Sequence, residues 1–443
     1  MKRILIWAFA AMAAACSPVQ RAVREVAADP YTNDNRYVVI LSMDAFRWDL
    51  ADHAHTPTLD SLRAVGTYAT TYPVYPSNTF PNHYSMATGL HPDHHGVVNN
   101  RFYDKVLERP MSVFNYDDTK TQNFWGGDPI WNTAERQGRV ANIFMWPGSE
   151  VPIDGRQATV WTRYSDEPSY RERADWVVEA MTRSVEQIPN LVMWYFEEPD
   201  ASMHRYGPLS EQAIAQAEHI DSTLRYFFWK IRQSPVYDKI NFIVTADHGM
   251  TELSDDRIAN LYDVLDPQRV VRTVGGAPFG VEVEAGYEKE ALKALRKVKG
   301  IKAFAREDVP AKYNYGKHPT RITNIVVMPD LGWTVEYRKP DVERRPIGKG
   351  AHGFDCFDRD MSMVFYGTGP AFRKGYEQRS FQDLNIYLIL CHLLGMSRRR
   401  MMAIGVRCAR CLSNSLKKVE NELCHVLRLL SLRIIARSRS YAV

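Results

Sequence analysis

Six acidic and histidine side chains stand at positions from which they could bind metal ions: Asp44, Asp200, His204, Asp247, His248 and His352. Asp200 and His204 are four residues apart, a spacing that places both side chains on one face of a turn or short helix. Asp247 and His248 are adjacent and follow an apolar run. Catalytic zinc sites combine nitrogen and oxygen ligands of these types and leave one coordination position open. The residue types therefore predict a metal site.

Glycines adjoin two of these positions. Gly249 follows His248 and predicts that the chain turns away there, whereas Gly350 and Gly353 frame His352 and permit close approach of another segment. Each candidate ligand also has an ordinary explanation when it is taken singly. An aspartate after a strand often caps a helix or forms a turn, and a histidine often lies on the surface or in the core. Six such residues together favour metal binding over these explanations.

Thr79 is the candidate nucleophile. It stands at the predicted start of a helix over residues 79–88. One interpretation makes Thr79 the N-cap, whose hydroxyl accepts a backbone N–H. In the other, a metal-bound hydroxyl at this anion-favouring helix end loses its proton and attacks phosphorus. The residues alone leave both interpretations open. His83 is predicted to anchor or pack this segment rather than to act as a general base.

Apolar runs over residues 37–43, 190–196 and 240–245 predict buried strands, and acidic or histidine residues follow each of them. Continuous apolar strands are typical of parallel sheets covered on both faces. The sequence therefore predicts an α/β fold with a doubly wound, mostly parallel central sheet and helices on both faces. Ligands of such folds bind beyond the carboxyl ends of the strands, where one pocket can collect the candidate residues. Helices are predicted between the strands, at 56–65, 79–88, 128–137, 170–186 and 211–232.

Three further segments are predicted around this core. Residues 270–345 are rich in short strands and turns and are expected to form a small peripheral insert or an antiparallel extension. Residues 1–16 resemble an export signal of the lipoprotein type, with an apolar run too short to span a bilayer; ordinary cleavage before Cys16 is the alternative. Residues 17–35 are expected to form a short polar tether. A lipidated Cys16 would anchor an exported protein, periplasmic or at the outer membrane.

The net charge of +4 comes from the end of the chain. Residues 397–443 hold eleven Arg or Lys against two Glu, a net charge of +9, which leaves −5 for the residues before them. The main body, residues 36–396, is therefore not expected to have a specific nucleic-acid partner. The basic tail is interpreted as an amphipathic segment for a membrane or a partner, or as a stretch that is not the natural end of the gene product.

Six motifs resemble one family when they are taken together: MDAFRW (43–48), TFPNHY (79–84), ATGLHP (87–92), HGVVNN (95–100), TADHGM (245–250) and AHG (351–353). They resemble the nucleotide pyrophosphatase/phosphodiesterase family of the alkaline phosphatase superfamily, in a bacterial exported form. The motifs run in the family's order and cover about residues 37–395. The resemblance implies an alkaline phosphatase-like catalytic domain over residues 36–396.

The resemblance also implies a site with two zinc ions. One ion is expected at Asp44, Thr79, Asp247 and His248, and the other at Asp200, His204 and His352.

Further roles follow from the resemblance. Asn100 is expected to donate a hydrogen bond to a phosphoryl oxygen, and Phe80 and Tyr164 to stack on a nucleobase. Tyr195 matches another position of the substrate pocket. The sequence departs from the family at Ala45, which replaces a glycine; one added methyl group is expected to cost little.

The expected reaction is hydrolysis of a nucleotide phosphodiester or pyrophosphate bond, through a phospho-threonine at Thr79, with release of a nucleoside 5′-monophosphate. One alternative is a choline- or glycerol-phosphate diesterase acting on lysophospholipids, because Phe80 and Tyr164 could also line an alkyl slot. An alternative of a different class is a zinc-containing surface protein that binds ligands without turnover.

Overall fold

A computed structural model describes residues 36–397 of the chain. The predicted signal peptide, the tether and all but the first residue of the basic tail lie outside the described residues. Export, lipidation of Cys16 and the role of the tail therefore stay predictions. Between residues 36 and 397, no helix combines the length and the apolar character needed to cross a membrane.

The strands of the described residues are, in chain order, β1 (Tyr37–Met43), β2 (Thr67–Thr71), β3 (Arg101–Asp104), β4 (Arg109–Ser112), β5 (Ala141–Phe144), β6 (Val160–Thr162), β7 (Leu191–Phe196), β8 (Ile240–Thr245), β9 (Thr251–Glu252), β10 (Ile258–Asn260), β11 (Val270–Val274), β12 (Phe279–Val283), β13 (Ile301–Ala305), β14 (Ile325–Pro329), β15 (Thr334–Glu336), β16 (Gly350–Ala351), β17 (Met363–Thr368) and β18 (Tyr376–Glu377). The central sheet has eight strands in the order β18-β2-β17-β8-β1-β7-β5-β6. β17 is antiparallel to its neighbours β2 and β8, and the other adjacent pairs are parallel. The prediction of a mostly parallel sheet is confirmed.

The helices of the described residues are α1 (Pro57–Val65), α2 (Thr79–Thr88), α3 (Pro92–His95), α4 (Tyr116–Thr119), α5 (Ile130–Arg136), α6 (Tyr170–Met181), α7 (Asp200–Tyr206), α8 (Glu211–Ile231), α9 (Glu288–Leu295) and α10 (Ile386–Leu393). Two predicted boundaries differ from the structure by more than one residue. α5 begins after Pro129, which occupies the N-cap position rather than the helix interior. α6 ends at Met181 instead of residue 186, because a short 3-10 turn at Val185–Gln187 redirects the chain toward β7.

The central sheet is covered on both faces. Side chains of β1 alternate between two cores, with Val38 and Ile40 in one and Val39 and Leu41 in the other. Helices α2, α5 and α10 pack into the first core, and α1, α6 and α8 into the second. This arrangement confirms the doubly wound fold, because only a sheet buried on both faces can bury every residue of an apolar strand.

The peripheral insert is a separate layer of the molecule. Strands β11, β12, β14 and β13 form an antiparallel sheet in that order, and α9 packs on it. Most of their apolar side chains form a third core, whereas Val326 and Met328 of β14 belong to the first core. The predicted insert at 270–345 is therefore an antiparallel sheet with one helix.

The three central strands end side by side. β1 lies between β8 and β7, with Met43 opposite Phe196 and Ser42 opposite Thr245. The residues that follow these strands are therefore brought to one edge of the sheet, although they are up to two hundred positions apart in the chain.

Candidate active site

The six candidate ligands meet at the carboxyl edge of the sheet. Asp44 directly follows β1, and its Oδ1 lies 3.3 Å from Nε2 of His248, which follows β8. Helix α7 begins at Asp200 and places His204 one turn later, with 3.4 Å between Asp200 Oδ1 and His204 Nε2. His352, just after β16, brings its Nε2 to 3.6 Å from the same Asp200 oxygen. The short-helix prediction for Asp200 and His204 is confirmed.

The potential ligand atoms form two overlapping groups. Those of Asp200, His204 and His352 lie within 4.8 Å of one another, and so do those of Asp44, Asp200 and His248. Asp200 therefore stands between the two groups rather than in one of them. Asp247 adjoins the second group, because its Oδ2 lies 3.3 Å from Nε2 of His248.

The three histidines all present Nε2 to this space. Their Nδ1 atoms lie 2.8 Å from the Gly350 carbonyl for His204, 2.9 Å from the Gly249 carbonyl for His248 and 3.0 Å from the Ser77 carbonyl for His352. A carbonyl oxygen only accepts, so each Nδ1 carries the proton and each Nε2 offers a lone pair. Hydrogen bonds of this kind orient the histidine ligands of metal sites.

Three carboxylate oxygens in the same space lack a partner. Asp44 Oδ1, Asp200 Oδ1 and Asp247 Oδ2 are buried and have no hydrogen-bond partner within the described residues. Buried polar atoms are normally hydrogen-bonded, and an uncompensated buried carboxylate is costly. Cations bound between these oxygens and the three Nε2 atoms would remove that cost. The residues present therefore fit a metal centre.

The pKa shifts follow from this crowding of acids. Burial raises the pKa of Asp44 well above its ordinary value, and the neighbouring Asp247 and Asp200 add to the effect. Burial also raises the pKa of Asp200. Asp247 is different: burial alone would raise its pKa, but the His248 and His83 rings bring it down to about 2. Burial lowers the pKa of His352, and the neighbouring rings of His248 and His204 lower it further. His352 therefore stays neutral, as a metal ligand must be.

Thr79 is the first residue of α2, and Asn78 occupies the N-cap position. The Thr79 hydroxyl lies 3.2 Å from His248 Nε2 instead of bonding a backbone N–H of the helix. The capping interpretation is therefore wrong, and the hydroxyl faces the candidate metal group. His83 is fully buried and anchors this segment, with Nδ1 2.9 Å from the Thr79 carbonyl and Nε2 2.9 Å from Ser42 Oγ.

Asn100 reaches the same helix end from the loop before β3. Its Oδ1 accepts the backbone N–H of Phe80 at 2.9 Å, and its own N–H donates to Asn99 Oδ1 at 2.7 Å. Asn99 Oδ1 also accepts from Asn78 Nδ2 at 2.7 Å. Because Oδ1 of Asn100 accepts this hydrogen bond, the orientation of the side-chain amide is fixed and Nδ2 is its donor. A donor is what recognition of a phosphoryl oxygen requires.

The predicted substrate-binding aromatics flank this centre. Phe80 is partly buried, with its ring 6.0 Å from that of Trp125. Tyr164 is 46% exposed, and its ring lies 6.2 Å from that of the buried Tyr195. The Tyr195 hydroxyl donates to Asp44 Oδ2 at 2.5 Å, so its polar end supports a candidate ligand. The predicted contact of Tyr195 with substrate stays a prediction.

The close approach of neighbouring backbone explains Gly249 and Gly353. At position 45, the backbone conformation favours glycine over the alanine that is present. A Cβ on Gly249 would lie 2.1 Å from the Asp360 carbonyl, so close packing rather than a turn demands glycine there. Gly353 has φ +92° and meets the Ala277 carbonyl in the same way, as the predicted close approach requires. Ala45 has φ 56°, a left-handed conformation that costs L-residues roughly 1–2 kcal/mol. The expectation that the added methyl group of Ala45 costs little is therefore wrong.

Comparison with known proteins identifies the family. The family model described as "Type I phosphodiesterase / nucleotide pyrophosphatase" matches residues 38–355. Human ectonucleotide pyrophosphatase/phosphodiesterase family member 5 is 32% identical over 369 residues, which cover 82% of this chain and 75% of that protein. The bis(5′-adenosyl)-triphosphatase of Xenopus laevis is 31% identical over 373 residues, which cover 83% of this chain and 80% of that protein.

A solved structure agrees with these matches. The murine ectonucleotide pyrophosphatase/phosphodiesterase 5, an inactive threonine-to-alanine variant in complex with AMP, is 29% identical and has a TM-score of 0.80. The similarity covers 85% of this chain and 100% of the murine one. The chain therefore belongs to the type I phosphodiesterase / nucleotide pyrophosphatase family and is a phosphodiesterase hydrolase with an alkaline phosphatase-like α/β fold.

Proposed function

We propose that this phosphodiesterase hydrolyses phosphodiester or pyrophosphate bonds of nucleotides and releases a nucleoside 5′-monophosphate. The observation that carries the proposal is the Thr79 hydroxyl, which lies at a helix N-terminus, 3.2 Å from the His248 Nε2 atom that Asp44 Oδ1 and Asp247 Oδ2 also approach. The relatives support the nucleotide substrate, since one is named for a dinucleoside triphosphate and another is in complex with AMP. The aromatic rings of Phe80 and Tyr164 beside the centre are suited to stacking on a base.

We further propose that two zinc ions are the cofactors. Imidazole nitrogens and carboxylate oxygens are a ligand set that suits zinc. The residues that would hold the ions are Asp44, Thr79, Asp247 and His248 for one and His204, His352 and Asp200 for the other, with Asp200 adjacent to both. Zinc when bound lowers the pKa of a coordinated hydroxyl and offsets negative charge on the phosphoryl group.

The chain's own residues then perform two displacements at phosphorus. Thr79 loses its hydroxyl proton to solvent, its oxygen attacks in line and bonds to phosphorus, and the bond to the leaving alkoxide or phosphate breaks, with the leaving oxygen free to take up a proton from solvent. Asn100 Nδ2 donates to a phosphoryl oxygen, and the N-terminus of α2 favours the negative charge of the group. Water then attacks the phospho-threonine ester, which restores the Thr79 hydroxyl and releases the nucleoside 5′-monophosphate.

Thr79→Ala tests this reaction. We expect turnover to fall by at least about a thousandfold, the scale on which loss of an activated nucleophile acts, while bound zinc remains. Products of a dinucleotide are identified by mass, and zinc is counted by elemental analysis of the same sample. Thr88→Ala is the matched control, because that hydroxyl lies on the same helix and bonds the Tyr84 carbonyl.

Three outcomes would contradict the proposal. Full activity of Thr79→Ala would rule out a phospho-threonine intermediate at this residue. Hydrolysis of a lysophospholipid in preference to the dinucleotide by the wild-type protein would replace the nucleotide substrate with a choline- or glycerol-phosphate diester. A zinc-loaded protein without turnover of either substrate would favour a binding protein.

A further inference from the structure

Arg173 of α6 is a buried arginine with every donor in use. Its Nε donates to the Pro168 carbonyl at 3.1 Å, and Nη1 donates to the Tyr195 carbonyl at 3.3 Å. Nη2 donates to the Ser165 carbonyl at 3.1 Å, and the two terminal nitrogens form a fork on the Glu197 carboxylate. A guanidinium has five N–H groups, and all five are therefore bonded. The residue is only 2% exposed.

These bonds join two segments that border the candidate active site. Ser165 and Pro168 belong to the loop between β6 and α6, which also contains Tyr164. Tyr195 and Glu197 lie at the end of β7. The guanidinium is therefore a clamp between the loop that presents the exposed tyrosine and the strand end next to the candidate metal ligands.

The clamp sets the position of one aromatic ring relative to the reacting centre. Tyr195 bonds Asp44 Oδ2 through its hydroxyl, and its ring lies 6.2 Å from the ring of Tyr164. Arg173 bonds the backbone of Tyr195 and the backbone of Ser165, the residue next to Tyr164. A shift of the loop would thus change the distance from the Tyr164 ring to the site of attack, whereas Tyr195 and Asp44 would stay in place.

We propose that Arg173 is a positioning residue for substrate selectivity: it holds the Tyr164 loop where a nucleobase can stack, and so makes the enzyme prefer base-bearing diesters. This inference rests on the proposed function. Only a fork-shaped donor set can bond the carboxylate and three carbonyls together, so lysine, with one ammonium group, cannot replace it.

The test compares Arg173→Lys with the wild type on two esters that share one leaving group. Thymidine 5′-(p-nitrophenyl phosphate) carries a base, and methyl p-nitrophenyl phosphate does not. We expect the ratio of kcat/KM values to fall about tenfold toward the base-free ester, through a higher KM for the thymidine ester. The kcat for the methyl ester should stay within about threefold of wild type, because Thr79 and the candidate ligands are untouched.

Two further variants separate positioning from general stability. Arg139→Lys removes another buried arginine, whose Nε donates to the Leu394 carbonyl. Arg139 lies just before β5, at the end of the sheet opposite the candidate active site. This substitution should leave the ratio unchanged. Glu197→Gln keeps the shape of the partner, whose side chain is 25% exposed, and should lower the ratio in the same direction by a smaller factor even if Arg173→Lys does not fold.

The outcomes are distinct. An unchanged ratio in both Arg173→Lys and Glu197→Gln overturns the inference, and so does an equal loss of the ratio in Arg139→Lys. A wild-type enzyme that hydrolyses neither ester overturns the proposed function as well. A wild-type preference for the thymidine ester that survives Arg173→Lys and Glu197→Gln overturns the inference alone.

Discussion

The two halves of the candidate metal centre differ in their access to solvent. The inner group is built on strand ends: Asp44, Asp247 and His248 have side chains that are 4%, 0% and 0% exposed. Its two carboxylates are fixed by the sheet, and each has an oxygen with no hydrogen-bond partner in the described part of the chain. Without a cation, burial of these carboxylates therefore costs a large amount of folding free energy, which the sheet cannot reduce by rearranging.

The outer group is built on α7 and the segment after β16. Its side chains are more exposed, at 19% for Asp200, 40% for His204 and 9% for His352. Water can reach these ligands and share the cost of their charges. We therefore expect the inner group to bind its ion more tightly and to depend on it more for stability, and the outer group to exchange its ion more readily.

Removal of one ligand from each group gives the largest expected difference. Asp247→Ala should lower activity by at least about a thousandfold, beyond recovery by added zinc, because no solvent can replace a ligand inside the sheet edge. His204→Ala should lower activity less and recover in part with excess zinc. Activity is titrated against zinc for both variants, and equal losses with equal recovery would erase the distinction between the groups.

Removal of zinc by a chelator should make the stability of the protein depend on pH, and the zinc-loaded protein should not show this dependence. The pKa of Asp44 is raised in the folded protein, so the metal-free form binds a proton more tightly than the unfolded chain does. Its stability should therefore fall as the pH rises above about 4, the ordinary value for an aspartate. Two groups act in the opposite sense: Asp247, with a pKa of about 2, does so only below that range, and His352, whose pKa is lowered by burial, does so up to about pH 6.5, the ordinary value for a histidine.

The measurement is the Tm of chelated and zinc-loaded protein between about pH 6.5 and about pH 8, where His352 is neutral in both the folded and the unfolded chain. Bound zinc should abolish the fall in Tm with rising pH, because a bound cation favours the ionised carboxylate. A chelated protein whose Tm relative to the loaded form is constant over this range would show that the inner carboxylates do not need a cation.

Tyr195→Phe gives the smallest expected effect of the three. It removes the hydroxyl that donates to Asp44 Oδ2 but leaves every candidate ligand, and losses of such supporting bonds cost roughly 10–100-fold in metal affinity. Zinc affinity is measured by competition with a chelator. Tyr226→Phe is the control, since that hydroxyl bonds Asp175 on the helical face of the protein. Equal affinities for the wild type and Tyr195→Phe would place this tyrosine outside the metal centre.

Much of the fold could be predicted because its signals are local. The apolar runs at 37–43, 190–196 and 240–245 form strands in the structure, and the five predicted helices start and end within a few residues of their predicted limits, whereas α9 and α10 were not predicted. The largest error is at the end of α6, where the helical pattern continues but the chain leaves for β7. Such a boundary depends on where the next strand must enter the sheet.

The candidate site could be predicted only as a set of residue types. Nothing in the sequence indicates that Asp200 stands between both groups, that Tyr195 bonds Asp44, or that Arg173 clamps the Tyr164 loop. Arg173 has no signal at all, because it is one of several charged residues in a predicted helix. Its four partner residues become visible only when the loop and the strand end are in place.

The sequence by itself determined the class of fold, the identity of the candidate ligands and the family, because strand patterns and short motifs depend on neighbours along the chain. Only the tertiary structure decided which atoms of those ligands are available. The histidine Nδ1 atoms meet carbonyls that are in two cases more than a hundred residues away, and the partnerless oxygens result from three strands ending together. Availability of a lone pair depends on every group packed around it, and a linear pattern does not contain those contacts.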